Sequence, residues 1–83
     1  MKLRQLELLR EVVHHEFNIS KAADALFTAQ PGISKQIRNL EEELGIPVFH
    51  RNGKHLTGLT PAGQEILLIA DRVVRDMSNI SRL

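Results

Sequence analysis

Apolar side chains recur at intervals of three and four residues through most of the chain, the mark of helices with one buried face. From residue 3 to 15, Leu3, Leu6, Leu9 and Val13 form one stripe, and Glu7, Arg10, Glu11 and His14 fall largely on the other side. Phe17-Asn18-Ile19 breaks that pattern. Ser20 then offers a hydroxyl that can accept from a free amide of the next turn. A short helix is expected over Ser20–Phe27, with Ala22, Ala23 and Leu26 as its apolar set and the two alanines implying a closely crossing neighbour. Thr28-Ala29-Gln30 makes a tight junction, and Pro31 suits the first turn of a new helix, where its missing amide does no harm. In that helix, expected over Pro31–Leu44, Ile33, Ile37, Leu40 and Leu44 line one side. Gly45 stops it, since glycine tolerates the left-handed cap conformation.

The period then changes. Val48-Phe49-His50 and His55-Leu56-Thr57 read as strands, and Asn52-Gly53 between them signals a two-residue hairpin turn with positive φ at both positions. Arg51 and Lys54 flank that turn. Thr60-Pro61 opens a last helix, a cap followed by proline at the first position. Running from Pro61 to near the chain end, it spans about 33 Å. Ile66, Ala70, Val73, Met77 and Ile80 form a heptad seam along it, widened by Leu67, Ile69 and Val74. Such a helix outruns a domain whose radius is roughly 12 Å, so its excess must pair with something or lie exposed.

Two helices joined by about three residues, the first short and alanine-rich, fit a helix-turn-helix. The expected fold is therefore mainly α: a winged helix-turn-helix over residues 1–59, then a long C-terminal dimerisation helix over 60–83.

Composition narrows the function classes. The 83 residues hold one small domain, which buries only about 60–65% of its unfolded surface. Without cysteine there is no disulfide and no thiolate metal site, so oligomerisation is the natural way to gain burial. No apolar run approaches the roughly 18 residues of a membrane span. MKLRQLELLREVV carries a charge every few residues, unlike a signal peptide, and a cytoplasmic location is expected. The net charge of +1 would not point to nucleic acid, but the placement of the cations does. At 100° per residue, the face opposite Ile33, Ile37 and Leu40 carries Pro31, Lys35, Arg38 and Asn39, with Ser34 on its edge.

That face suits duplex DNA. Lys35 and Arg38 can reach guanine O6 and N7, Gln30 suits adenine or a phosphate, and Ser34 can pair with either kind of edge. Backbone amides near Gln30 and Gly32, at a helix N-terminus, favour a phosphate. Arg51 and Lys54 on the wing would meet the flanking backbone or minor groove, and Arg51 is expected to neutralise one phosphate. The Glu41–Glu43 run reads as a solvated helix end, and Phe17, Phe27 and Phe49 as core. With three phenylalanines and no tyrosine or tryptophan there is no stacking platform for single strands.

Other classes find less support. His14 and His15 point about 100° apart on a helix. His50 and His55 can face each other across the hairpin but lack a third ligand, whereas zinc needs three or four. No activated nucleophile or paired carboxylates stand out. No metal, cofactor or catalytic residue is therefore expected, and the chain does not read as an enzyme. A winged helix serving only protein interaction is the alternative, distinguished by absent or salt-insensitive DNA binding.

The motifs SKAADAL from Ser20, QPGISKQIRNLEEELG from Gln30, VFHR from Val48 and LTPAG from Leu59 resemble the N-terminal domain of LysR-type transcriptional regulators in order and spacing, across nearly the whole chain. FTAQPGISKQIRNLEEELGI and RNGKHLT are most similar to the subgroup that regulates cysteine biosynthesis and sulfur assimilation. The resemblance implies a second helix that enters the major groove and a linker helix pairing antiparallel with that of a second subunit. It also implies a homodimer on a pseudo-palindromic operator, a tetramer in a full-length protein, and an effector domain beyond these residues. The expected DNA contacts are Thr28, Gln30, Pro31, Ser34, Lys35, Arg38, Arg51 and Lys54. The expected dimer contacts are Ile66, Ala70, Val73, Met77 and Ile80. The family commonly has serine before Gln-Pro, where this chain has Ala29, and Thr28 is the residue placed to take over its role.

Overall fold

The computed structural model describes all residues, 1–83. Three helices, α1 (Leu3–His14), α2 (Ile19–Ala25) and α3 (Gln30–Leu44), are followed by an antiparallel hairpin of β1 (Phe49–Asn52) and β2 (His55–Leu59) and a long helix α4 (Pro61–Ser81). This is the expected winged helix-turn-helix with a long C-terminal helix. Its extents of 44 × 26 × 20 Å reflect the distal part of α4 projecting from the rest.

One core unites all elements: Leu8, Leu9 and Val12 of α1, Ala22 and Ala23 of α2, Ile33 and Ile37 of α3, Phe49 and Leu56 of the hairpin, and Ala70 of α4. In the α3 stripe Ile33, Ile37 and Leu40 are buried as their spacing predicts, and Leu44 lies at the core's edge. The α1 stripe is not buried as its spacing predicts. The helix buries Gln5, Leu8, Leu9 and Val12, while Leu3 is exposed and Leu6 and Val13 lie at the core's edge. The buried face is turned because α1 packs against α2, α3 and α4 together. Gln5 disguised this face. It is polar yet buried, its Oε1 accepting from the Lys2 amide at 2.9 Å and its Nε2 donating to Gln36 Oε1 at 3.3 Å.

The caps differ from expectation at α2. Asn18, not Ser20, caps it, its Oδ1 accepting from the Lys21 amide at 3.0 Å. Ser20 lies inside the helix and donates to Gln30 Oε1 at 3.0 Å, linking the starts of α2 and α3. Both α1 and α2 end in paired 6→1 and 5→2 backbone bonds: Phe17 to Val12 and Glu16 to Val13, then Thr28 to Ala23 and Phe27 to Asp24. This Schellman closure needs a left-handed residue, usually glycine, yet Glu16 (φ 56) and Phe27 (φ 54) fill it here. Phe27 is consequently turned outward and is 97% exposed, so it is not core. Phe17 is half-buried and packs edge-on against Phe49, with centroids 6.1 Å apart.

In the wing, Asn52 pairs with His55, so the two-residue loop is Gly53-Lys54 rather than Asn52-Gly53. Gly53 alone takes positive φ (62), the pattern of a turn with glycine at its first central position. A register slip between His50 and Arg51 leaves Thr57 unpaired on β2.

Thr60 caps α4, its Oγ1 accepting from the Gly63 amide at 3.0 Å and donating toward the Pro47 carbonyl at 2.8 Å. Gly63 sits so close to β1's entry that a Cβ there would lie 2.1 Å from the Val48 carbonyl oxygen. The first half of α4 thus shares the domain's core, with Ala70 fully buried and Asp71 accepting from Arg10 Nε at 2.7 Å. From Arg75 onward every residue is exposed. No helix is long and apolar enough to cross a membrane.

Candidate nucleic-acid interface

The buried stripe of α3 dictates what its opposite face shows. With Ile33, Ile37 and Leu40 pinned to the core, Pro31, Lys35, Arg38 and Asn39 are exposed and Ser34 is half-exposed beside them. The wing stands next to this face, and the two enclose a groove of about 560 Å³. Gln30, Pro31, Ser34, Arg38, Arg51 and Lys54 all line it, so six of the eight expected contact residues meet in one depression. Lys35 lies outside the groove on the same exposed helix face, and Thr28 is exposed at the junction before α3. Gln30 and Lys54 also border a neighbouring cleft of about 330 Å³ beneath Asn18 and Ser20.

The cations there are of two kinds. Lys35, Arg38 and Lys54 make no salt bridge, which leaves their charge open to an incoming anion. Arg51 is paired: Nη2 donates to Glu41 Oε1 at 2.7 Å and Nη1 to Glu41 Oε2 at 3.3 Å. The same Oε2 accepts from the backbone amides of Val48 at 2.7 Å and Phe49 at 3.2 Å. Burial of the Glu41 carboxyl raises its pKa, but the Arg51 guanidinium and the two amides outweigh that, so the group is held below its ordinary value of 4.5. Glu41 is therefore no solvated helix end. Its side chain is only 11% exposed. The signal was available: Glu41 falls about 70° from the centre of the Ile33–Ile37–Leu40 stripe, at the edge of the buried face. Glu42 and Glu43 are exposed, as expected of the run.

At the amino end of α3, Ala29 occupies the cap position and contributes no side-chain hydrogen bond. The Thr28 hydroxyl does not replace it, since it bonds to no amide of that turn. The Gly32 amide is already used, donating to the Ala29 carbonyl at 3.0 Å. The Gln30 amide is the donor that remains at this helix end. His50 and His55 do not face each other across the hairpin, because His50 pairs with Gly58 and His55 with Asn52. No group of three or more metal-ligating side chains is assembled anywhere in the chain.

The α4 seam divides in two. Ala70 is fully buried under its own subunit and Ile66 packs against the same core, so Ala70 is not available to a second chain. Ile69 (56% exposed), Met77 (38%) and Ile80 (68%) are open. Together with half-buried Val73 they continue one apolar line along the projecting helix.

The fold and this surface have known counterparts. Residues 3–64 match the model of the bacterial regulatory helix-turn-helix proteins of the lysR family. The chain is 45% identical over 83 residues to the HTH-type transcriptional regulator Cbl of Escherichia coli K12, covering 100% of this chain and 26% of that protein. It is 53% identical over 70 residues to the HTH-type transcriptional regulator CysB of Haemophilus influenzae, covering 84% and 22%. It spans about a quarter of the length of these relatives. Among solved structures, the BenM DNA-binding domain in complex with catB site 1 DNA superposes with a TM-score of 0.89 at 36% identity, over 99% of this chain and 89% of that one. The CbnR DNA-binding domain in its DNA complex gives 0.87 at 30% identity, over 99% and 92%.

Proposed function

The chain belongs to the lysR family of bacterial regulatory helix-turn-helix proteins, and from that premise we propose that it binds duplex DNA sequence-specifically as a homodimer, as the DNA-binding module of a transcriptional regulator. The observation that carries this reading is the groove between α3 and the wing, where unpaired Arg38 and Lys54 stand with Ser34 and Gln30 along one depression. DNA recognition needs cations and amides that hold phosphates and directional side chains that read base edges. Lys54 at the wing tip and the Gln30 amide suit the first task. Lys35, Arg38, Ser34 and the Gln30 side chain suit the second, while Pro31 and Thr28 shape the approach of α3. Similar domains solved as DNA complexes support this assignment.

Ile69, Val73, Met77 and Ile80 form the dimer face, with Ile66 at its inner end. Two copies joined there present two α3 helices to a pseudo-palindromic operator. A longer chain carrying an effector domain would assemble further into a tetramer. Similarity to the CysB and Cbl regulators, together with RNGKHLT and the α3 motif, supports a reading in which the target genes serve sulfur assimilation or cysteine biosynthesis. Such a regulator works in the cytoplasm, on the chromosome.

Binding of the chain to a cognate operator tests the α3 assignment. Arg38→Ala and Lys35→Ala should each weaken binding about tenfold or more, and at least one should relax the base preference. If both variants bind as tightly as the parent, the assignment is wrong.

A further inference from the structure

A two-stranded hairpin is marginally stable by itself, so the direction in which a wing points is set by what ties it to the domain. Phe49 and Leu56 anchor its base in the core. Above the base, the tie to α3 runs through one carboxylate. Glu41 accepts four hydrogen bonds: two from the amides that open β1 and two from Arg51, in the middle of that strand. Oε2 takes three of these and Oε1 one. Each carboxylate oxygen can serve about two donors, so Oε2 is fully occupied. The guanidinium is held end to end against it, a geometry that fixes direction as well as distance.

We propose that Glu41 and Arg51 are positioning residues: they form a strut that holds the wing over α3, so that Lys54 at its tip and Arg38 on the helix meet the same duplex. Arg51 then acts through Glu41 and not upon a phosphate. The pair is close to neutral as a unit and adds little to the attraction of DNA, whereas Lys54, three residues along, carries the wing's free charge. This revises the expectation that Arg51 neutralises a phosphate. The proposal rests on the DNA-binding reading for its consequence but not for its geometry, and the two can fail separately.

Salt dependence separates a strut from a phosphate contact. Each neutralised phosphate steepens the dependence of log affinity on log salt by about 0.9. Binding of the full chain to an operator duplex is measured at several salt concentrations for the parent, Lys54→Ala, Arg51→Lys, Arg51→Met, Glu41→Gln and the double variant Glu41→Gln/Arg51→Met. Lys54→Ala should flatten the slope by about one unit. Arg51→Met and Glu41→Gln should each weaken binding about tenfold with the slope unchanged, and the double variant should be no worse than either single one. Arg51→Lys, which keeps the charge and loses the fork, should not rescue. A flattened slope in Arg51→Met, rescue by lysine, or tighter binding by Glu41→Gln would overturn the proposal.

Amide hydrogen exchange of the free protein supplies a readout independent of DNA. Val48 and Phe49 should exchange faster in Glu41→Gln while the amides of α1 keep their protection. Unchanged exchange at both positions refutes the strut. If instead exchange rises as expected and no duplex is bound in a salt-dependent way, the DNA-binding reading fails and the strut stands.

Discussion

Helices α3 and α4 are built alike on their inner sides and differ on their outer ones. Each pins a stripe to the shared core, Ile33, Ile37 and Leu40 in one case, Gly63 and Ala70 in the other. Opposite its stripe α3 shows Pro31, Lys35, Arg38 and Asn39, while α4 leaves Ile69, Met77 and Ile80 uncovered. The inner stripes explain why the chain folds, and the outer faces show what it is left to meet. Water solvates the first face at no cost. The second raises the free energy of an isolated copy by about 25 cal/mol for each Å² of apolar surface it leaves wet. A polyanion suits α3 and a second copy suits α4.

Gly63 is where the inner side of α4 is most sensitive to substitution. If the first half of α4 belongs to the domain as α3 does, Gly63→Ala must push α4 off the Val48 carbonyl and lower stability by about 3 kcal/mol. Denaturant unfolding measures this, and a loss under about 0.5 kcal/mol would mean that α4 is only loosely attached. Next in size is Ile69→Glu, which should leave the unfolding midpoint of the monomer near that of the parent and weaken self-association by about tenfold or more. Sedimentation across a concentration series reads both limbs, and an unchanged mass at tens of micromolar would remove α4's outer face as the dimer surface.

Acid gives a smaller and reversible perturbation of the α3 side. Because Glu41 is held below 4.5 when folded, its contribution is fully present above 4.5 and is lost as pH falls through its folded value. Unfolding of the parent should become easier over that acid range by more than unfolding of Glu41→Gln. Equal pH dependence of the two would deny Glu41 its role. The smallest expected effect is a gain. Phe27→Gly relieves a left-handed, exposed aromatic at the α2 terminus and should raise stability by about 0.5 kcal/mol, read as a higher melting temperature.

The two outer faces were legible in the sequence to different depths. On α3, Ile33, Ile37 and Leu40 recur cleanly between a proline start and a glycine stop, so the exposure of Pro31, Lys35, Arg38 and Asn39 followed from the period. On α4 the apolar residues are too many for one stripe, and periodicity alone cannot divide Ala70, which faces inward, from Ile69, which faces out. The ends of α1 and α2 were obscured because Glu16 and Phe27 stand where glycine usually marks a left-handed closure. Gln5 and Glu41 were missed for a common reason: each is a polar group that is buried because its partners, Gln36 and Arg51, are distant in sequence. Pairing of that kind is not written in the local pattern, and for Glu41 the only trace was its place at the edge of the buried α3 face.

Selection of bound sites from random duplex DNA, carried out in parallel with the parent and Arg38→Ala, decides whether α3 reads the duplex. The parent should enrich a pseudo-palindrome whose half-sites lie about one helical turn, 10–10.5 base pairs, apart or a multiple of it. Arg38→Ala should keep that spacing and lose preference at one base position in each half. No enrichment by the parent, or the same motif recovered with equal affinity by both proteins, would contradict a duplex-reading face on α3.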